Sequence, residues 1–372
     1  MIRKTNEYAP NYSASPGDHI EELLEVHNMS QKELAERTGV TPKHINMVIK
    51  GKARITPEFA YSLEMIFDYS AEMWLSFQNV FDIEMLERKK EEELEKYAEF
   101  LSEFDYNDLV KAKYVPAAAR VSERINNLLH FFRVSNIESC RKKWFSESAS
   151  FRMTGVRAIK RGNIAAWIRY GQIAANNMID ESPRYDKKEF IKSLDTIRGL
   201  TAENDFQNRV TDLCNRSGVI LLFVKDLPKT AISGAAYWIN SEKTPCIQMS
   251  LRFKTNDHFW FTFFHEAYHV LEHHEKTMFV DINNGEKDSV ELSADAYSAA
   301  MLIEPVDYQA FLSNGFFDKN SIAAFAQYIN RHPGIVVGRL QHDKHIAFNT
   351  LNAMKMKMVW EEEQQSSGLA KG

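Results

Sequence analysis

The stretch Phe263-Phe264-His265-Glu266-Ala267-Tyr268-His269-Val270-Leu271 predicts a buried helix that carries a metal site. Histidines four residues apart stand one turn above each other, so His265 and His269 can reach the same ion. Glu266 can take a proton from a water molecule at that ion. Apolar flanking residues favour burial, where a histidine pair and a carboxylate need a partner such as a metal. The same pentapeptide also occurs by chance on ordinary amphipathic helices.

The residues after the motif offer other sets of metal ligands. A metzincin site needs a glycine and then a histidine, but Glu272 and Glu275 occupy those positions, so this class is excluded. His273 and His274 continue the same helix, one turn further along, which is too far for a compact site. We therefore interpret both as exposed or partly buried histidines.

Residues 290–302, rich in small side chains, supply a candidate third ligand. Glu291 and Asp295 are four apart and share a helix face. In gluzincins a glutamate is the third zinc ligand, and a carboxylate can accept the free ring N–H of a ligand histidine. Taken alone, the pair is better explained as a solvated acidic face. The upstream H-E-x-x-H reverses that preference and favours a zinc site.

Length and composition set the broad class of the protein. A chain of 372 residues predicts two or three domains, and a formal net charge of -5 gives no general case for nucleic-acid binding. Cys140, Cys214 and Cys246 are far apart and are expected to be reduced. The sequence shows no apolar signal region and no membrane span, so we expect a cytoplasmic protein without a membrane partner.

The amino-terminal region predicts short capped helices. Ser30 caps a helix that stops at Gly39, and Thr41 caps another that runs until Gly51. Two such helices joined by a tight turn form a helix-turn-helix, whose second helix can enter a major groove. Residues 37–54 contain no acid, and their basic residues can contact phosphates. These are Arg37, Lys43, Lys50, Lys52 and Arg54. A small helical bundle without a DNA partner is the alternative.

The middle of the chain predicts helices and then strands. A helix capped by Ser70 runs through Phe100, and its residues Leu86, Leu94 and Tyr97 offer a dimer contact. Residues 158–178 have helical apolar spacing, and the aromatic residues there are interleaved with basic ones from residue 157 onward, which fits nucleic-acid binding but favours a core helix with a basic edge. The residues concerned are Arg157, Lys160, Arg161, Trp167, Arg169 and Tyr170. Residues 180–188 predict a loop, and apolar runs at 218–224, 234–239 and 246–251 predict strands.

The amino-terminal motifs resemble a known family of regulators. Ser30-Gln31-Lys32-Glu33-Leu34-Ala35, with Thr38-Gly39-Val40-Thr41 and Ile45-Asn46, resembles the Cro/C1-type helix-turn-helix. Together with Pro16-Gly17, residues 46–57 and residues 71–75, the stretch 16–80 resembles HigA-type antitoxins and repressors. The resemblance implies that Gln31 and Thr41 contact phosphates and that Lys43, His44 and Met47 face the groove. Lys50 joins this set as part of the basic stretch.

The carboxy-terminal motifs resemble the ImmA/IrrE family of zinc metallopeptidases over about residues 155–345. The resemblance rests on H-E-x-x-H followed by Glu291-x-x-Ala294-Asp295-x-Tyr297-Ser298 and a run ending at Pro305. The family has asparagine where Asp295 stands, and a carboxylate strengthens the role of orienting a ligand histidine. Residues 322–342 also resemble the end of HigA-like proteins that carry this domain. The resemblance supports a zinc site formed by His265, His269 and Glu291, with Glu266 as general base.

These motifs predict a mainly α protein with a small β-sheet. An all-α helix-turn-helix bundle is followed by an α+β gluzincin-like metallopeptidase domain. We expect a flexible arm at 1–16, a DNA-binding domain at 17–80 and a helical linker and dimerisation region at 81–155. A metallopeptidase domain at 156–350 and a polar tail at 351–372 complete the chain.

The leading hypothesis for function is a homodimeric regulator that binds a double-stranded DNA operator and cuts a repressor or toxin with a zinc endopeptidase. One alternative is a non-catalytic antitoxin that represses its own operon and binds a toxin. Another is an enzyme whose helix-turn-helix docks a protein repressor instead of DNA. His332, His342 and His345 are candidates for oxyanion stabilisation by residue type alone.

Overall fold

In the computed structural model, the chain is described at residues 14–145, 160–203, 205–239, 243–272, 279–282 and 289–360. These residues divide into two units. The first extends to residue 98 and includes residues 120–123, and the second comprises residues 99–119 and those from 124 onward. No helix in the described part of the chain is long and apolar enough to cross a membrane.

Five capped helices make up the first unit. They are α1 (Pro16–Val26), α2 (Gln31–Thr38), α3 (Pro42–Ile49), α4 (Pro57–Phe67) and α5 (Ala71–Leu94). Before each helix, a serine or threonine hydroxyl accepts a first-turn N–H that the helix leaves without a partner. The predicted caps Ser30 and Thr41 are confirmed. Helix α1 begins at Pro16, because Ser15 and Asp18 form a capping box at its start.

The core of the first unit holds the helix-turn-helix geometry. It includes Ile20, Leu34, Ile45, Leu63 and Trp74. Helix α2 stops at Gly39, as predicted, and the backbone of this glycine adopts the left-handed conformation. Helix α3 follows after a short turn. A Cβ on Gly17 would lie 2.4 Å from the carbonyl oxygen of Ile49, so glycine lets α1 contact the end of α3.

The helix predicted to run from Ser70 to Phe100 is shorter in the structure. Helix α5 ends at Leu94, and a 3₁₀ turn (Glu95–Tyr97) and the short α6 (Ala98–Leu101) follow. The last turn of α5 contains acidic residues and no basic one. Negative charge at a helix carboxyl end opposes the helix dipole, which favours ending the helix there.

Helices also begin the second unit. They are α7 (Tyr106–Lys111), α8 (Val121–Phe132), α9 (Ile137–Cys140), α10 (Arg161–Asn176), α11 (Lys187–Leu200) and α12 (Gln207–Arg216). A π turn covers Arg141–Phe145, and a 3₁₀ turn covers Ile179–Glu181. The loop predicted at 180–188 is therefore too long. Helix α11 already begins at Lys187 because the Asp186 carboxylate accepts two N–H groups of its first turn.

A four-stranded sheet follows, of which three strands were predicted. The strands are β1 (Ile220–Phe223), β2 (Ile232–Ile239), β3 (Thr244–Met249) and β4 (Phe279–Ile282), in the order β1-β3-β2-β4. Strand β3 pairs with β1 in parallel and with β2 antiparallel, and β4 is antiparallel to β2. Strand β4 was not predicted, since four residues are too few to show a periodic pattern.

The remaining helices complete the second unit around α13, which contains the H-E-x-x-H motif. They are α13 (Asn256–Glu272), α14 (Ser289–Leu302), α15 (Pro305–Ser313), α16 (Lys319–Tyr328) and α17 (Pro333–His342). Helix α13 packs against the sheet, α14 and α17. Its aromatic residues Trp260, Phe263 and Phe264 lie in the main hydrophobic core. The mainly helical fold with a small sheet confirms the predicted fold class.

Candidate functional site

Helix α13 buries both histidines of the motif. His265 and His269 are each 1% exposed, one turn apart on the side of the helix that meets α14. The helix is held at both ends. The Lys187 ammonium donates to the Leu271 carbonyl at 2.6 Å in its last turn, and the Lys355 ammonium lies 2.6 Å from the Asp257 carboxylate in its first turn. These contacts fix the backbone that carries the histidines.

Three predicted ligands meet between α13 and α14. His265 Nε2 lies 3.0 Å from a Glu291 carboxylate oxygen and 3.2 Å from His269 Nε2. His269 Nε2 lies 3.5 Å from the other Glu291 oxygen. Ligand atoms about 2.1 Å from a tetrahedral zinc ion lie about 3.4 Å from one another. The two imidazoles and the carboxylate therefore have both the chemistry and the spacing of a zinc-binding group.

Asp295 lies behind the first of these ligands. Its carboxylate oxygen is 3.0 Å from His265 Nδ1. With Nδ1 donating to Asp295, the Nε2 lone pair of His265 points toward Glu291 and His269. Ala294 is fully buried, and the Ser298 hydroxyl donates to the Phe261 carbonyl at 2.7 Å. These small side chains bring α14 close enough to α13 for the contacts to form.

Glu266 is fully buried on the side of α13 that faces the sheet. A Cβ on Gly234 in β2 would lie 2.9 Å from the Glu266 carboxylate and 2.7 Å from the Thr262 methyl group. Glycine at this position gives the carboxylate its space. This role of Gly234 was not predicted from the sequence, because the contact depends on which strand residue faces the helix.

The other histidines considered from the sequence are engaged elsewhere or lie outside the described residues. His332 Nδ1 accepts from the Gly334 N–H at 3.0 Å and caps α17. His342 Nδ1 lies 3.0 Å from Asp343, and the His345 ring packs against Phe317. His273 and His274 fall outside the residues that the structure describes.

In the first unit, α3 presents the residues predicted to contact DNA. Lys43 and Lys50 are exposed, Met47 is half-buried, and the His44 ring meets Phe59 edge-on, with centroids 5.5 Å apart. The Thr41 hydroxyl accepts from the His44 N–H at 3.2 Å. Gln31 is held to Asn46 across the turn by a 3.4 Å hydrogen bond.

The basic stretch divides into paired and unpaired cations. Arg37 forms an ion pair with Glu33 at 2.5 Å, and Arg54 forms one with Asp82 at 2.6 Å. Lys43, Lys50 and Lys52 form no ion pair within the described residues. These three lysines are therefore the cations of this stretch that phosphates can reach without breaking an existing pair.

Two family models match separate parts of the chain. The helix-turn-helix model matches residues 20–74, which contain α2 and α3. The model of the IrrE N-terminal-like domain, a family of M78 peptidases, matches residues 214–330, which contain the H-E-x-x-H motif, Glu291 and Asp295.

Known proteins resemble the amino-terminal part. An HTH-type transcriptional regulator of Escherichia coli K12, YddM, is 36% identical over 73 residues, which are 20% of this chain and 78% of the relative. A HigA-family addiction module antidote protein from Coxiella burnetii is 30% identical, with a TM-score of 0.20, over 22% of this chain and 89% of its own. The antitoxin GraA is 26% identical, with a TM-score of 0.20, over 21% and 85%.

Proposed function

Since this chain belongs to the helix-turn-helix transcriptional regulators and also carries a peptidase-family domain of the IrrE type, we propose that it joins operator binding to zinc-dependent proteolysis. The proposed substrate is a repressor or a toxin. The observation that carries this proposal is the convergence of His265, His269 and Glu291, whose ligand atoms all lie within 4.8 Å of one another. We assign residues 17–80 to DNA binding and residues 156–350 to the peptidase.

The proposed site assigns a role to each side chain. His265, His269 and Glu291 would hold zinc, which would supply Lewis-acid polarisation of the scissile carbonyl and lower the pKa of a bound water molecule. Asp295 keeps the Nδ1 proton of His265 in place and so fixes its tautomer. Glu266 takes a proton from the attacking water and returns it to the leaving amine. Burial of Glu266 keeps bulk water from competing for that proton.

The peptidase proposal is tested by separating metal binding from catalysis. We expect Glu266→Gln to bind one zinc per chain, as the unsubstituted protein does, and to lose cleavage, because only the base is removed. His269→Ala should lose both properties. Zinc is measured by elemental analysis after chelation and reloading, and cleavage by mass spectrometry with the proteins encoded beside this gene as substrates. Cleavage at the unsubstituted rate by Glu266→Gln contradicts the assigned role.

A second candidate function is a non-catalytic antitoxin that represses its own operon. It rests on the resemblance of residues 16–80 to HigA-type antitoxins. In this case the carboxy-terminal domain serves for sensing or for binding a toxin. Zinc binding without cleavage of any neighbouring gene product, together with tight binding to one of them, favours this function over the first.

We further propose that the regulator binds its operator as a homodimer. Operators of helix-turn-helix proteins commonly contain paired half-sites, which a two-fold symmetric dimer matches. Helix α5 leaves Val80, Ile83 and Leu86 more than half exposed, three residues apart along the helix. Such an apolar strip fits self-association, and Tyr97 extends the exposed apolar surface of this unit. Ile83→Asp should convert the dimer to a monomer in light scattering.

A further inference from the structure

Three aromatic rings from distant parts of the second unit form a column. Tyr114 lies between the others. Its centroid is 4.2 Å from Tyr170 at an interplanar angle of 11°, and 5.8 Å from Phe131 at 12°. Tyr170 is 38% exposed, so the column ends at the surface. Burial raises the pKa of Tyr114, which keeps this ring neutral at physiological pH.

Three cations without carboxylate partners lie beside Phe131, one ring of this column, and beside the neighbouring Trp144. Arg169 donates to the Phe131 carbonyl at 3.1 Å. The Arg169 guanidinium and the Lys143 ammonium lie 5.6 and 5.8 Å from the centroid of the Trp144 ring. Burial lowers the pKa of Arg169, and the charge of the exposed Arg133 lowers it further. In the described part of the chain, none of the three cations forms an ion pair.

Unpaired cations held close together repel one another, and a bound anion relieves that repulsion. The pKa of Tyr114 is raised by burial first, then by Tyr170 and by the carboxylate of Asp226. A peptide carboxylate could form ion pairs with the cations, but it would not account for the stacked rings. A nucleic-acid strand uses both, because its bases stack on aromatic rings while its phosphates contact arginine and lysine.

We propose that the exposed end of this column binds a single strand of nucleic acid. We call it the Tyr170 surface, and it consists of Tyr114, Phe131, Arg133, Lys143, Arg169 and Tyr170. A base stacks on the Tyr170 ring, and the adjoining phosphates contact Arg133, Arg169 and Lys143. This activity lies beyond the proposed operator binding, and its residues are separate from the metal-binding group.

The Tyr170 surface also refines the expectation for residues 158–178. Trp167 is fully buried and donates to the Val224 carbonyl at 3.2 Å, so the predicted core helix is correct for that residue. Arg169 and Tyr170 follow on the same helix but face other elements. The sequence could not indicate the column, because Tyr114 and Phe131 come from different segments.

Binding is measured with the full chain and a fluorescein-labelled 20-nucleotide oligo(dT), by anisotropy. Both the unsubstituted chain and a Lys43→Ala/Lys50→Ala background are used, so that the helix-turn-helix does not dominate. Stacking is worth about 1–3 kcal/mol per base, so Tyr170→Leu should weaken binding roughly 5- to 150-fold. Tyr170→Phe keeps the ring and should bind like the parent.

Charge substitutions test the proposed contacts between the cations and the phosphates. Each lost phosphate contact lowers the slope of log affinity against log salt by about 0.7, so Arg133→Glu should give a weaker and less salt-dependent complex. The control is Lys192→Glu on α11, where an exposed lysine pairs with Glu189. That variant should bind like the parent. Melting curves establish that each variant is folded.

Three results overturn the proposal. The first is equal affinity of Tyr170→Leu and Tyr170→Phe for oligo(dT) in folded protein. The second is displacement of the strand by polyglutamate at charge-equivalent concentrations, which assigns the surface to acidic peptides. Loss of oligo(dT) binding in the Lys43→Ala/Lys50→Ala background alone also contradicts the proposal, since it assigns the binding to the helix-turn-helix.

Discussion

The Lys355 ammonium and the Asp257 carboxylate form a 2.6 Å ion pair whose side chains are only 10% and 8% exposed. The pair joins the first turn of α13, which carries the H-E-x-x-H motif, to a segment that follows α17. The backbone supports it, because the Asn256 N–H donates to the Met356 carbonyl at 3.1 Å. A Cβ on Gly338 would lie 2.5 Å from the Asp257 oxygen, so glycine lets α17 cover the pair.

We predict that Lys355→Met lowers the free energy of unfolding of the second unit by about 3–5 kcal/mol, because Asp257 then remains buried without its partner. Urea denaturation followed by tryptophan fluorescence measures the change. Adding Asp257→Asn should restore much of the loss. As a control, Lys192→Met breaks only an exposed pair, and its effect should be below about 1 kcal/mol. An equal loss in both lysine variants contradicts the prediction.

Gly234→Ala is predicted to impair cleavage more than metal binding. The new methyl group collides with Glu266 and Thr262, whereas the ligand contacts of His265 lie on α14. Displacing the carboxylate lowers turnover, and crowding lowers stability by about 1–3 kcal/mol. Gly199→Ala is the control, because a Cβ there meets nothing within 4 Å. Turnover and zinc affinity are measured side by side, and a Gly234→Ala variant whose turnover is unchanged refutes the assigned contact.

Acidification is predicted to destabilise the cap of α17. Burial lowers the pKa of His332 below its ordinary value of 6.5, and its Nδ1 accepts a hydrogen bond only when unprotonated. Below about pH 6.5 the unfolded chain binds this proton more readily than the folded one, so stability falls as the pH drops toward the lowered pKa. His332→Asn keeps a capping side chain without a titrating group. The stability of this variant should fall less between pH 7 and the lowered pKa, as measured by thermal unfolding.

Thr41→Ala is predicted to weaken operator binding beyond its effect on stability. Thr41 and Thr56 both cap helices, accepting N–H groups at 3.2 and 3.3 Å, and losing either cap costs about 1 kcal/mol. Only Thr41 belongs to the residues proposed to contact phosphates. Calorimetry should therefore give similar stabilities for Thr41→Ala and Thr56→Ala. Anisotropy with promoter DNA of this gene should show weaker binding for Thr41→Ala, and equal affinities contradict the phosphate contact.

The sequence predicts those parts of the fold that depend on residues only a few positions apart in the chain. Caps such as Thr41 and the four-residue separation of His265 and His269 follow from helix geometry alone. Glu291 was reached because a second helix shows the same four-residue spacing to Asp295. The strand β4 was missed because it has only four residues. Contacts across the fold leave no local pattern.

The pair formed by Asp257 and Lys355 shows why contacts between residues far apart in the chain cannot be predicted from the sequence. The two residues are 98 apart in the chain, and each alone resembles an ordinary surface charge. Gly234 and Glu266 meet only because β2 packs on α13 in one register. Tyr114 and Tyr170 likewise become neighbours through tertiary packing. Sequence spacing therefore locates the proposed ligands, while the side chains that support them require the structure.

Because α13 is fastened by Lys187 at one end and by Lys355 at the other, its surroundings are completed late in synthesis. The ribosome releases the helices of the first unit long before it releases Lys355, and domains generally fold as units in that order. A growing chain can therefore form the helix-turn-helix while α13 still lacks its second anchor. A translation arrest or a proteolytic cut before residue 355 would leave the amino-terminal helices complete and α13 without its second anchor.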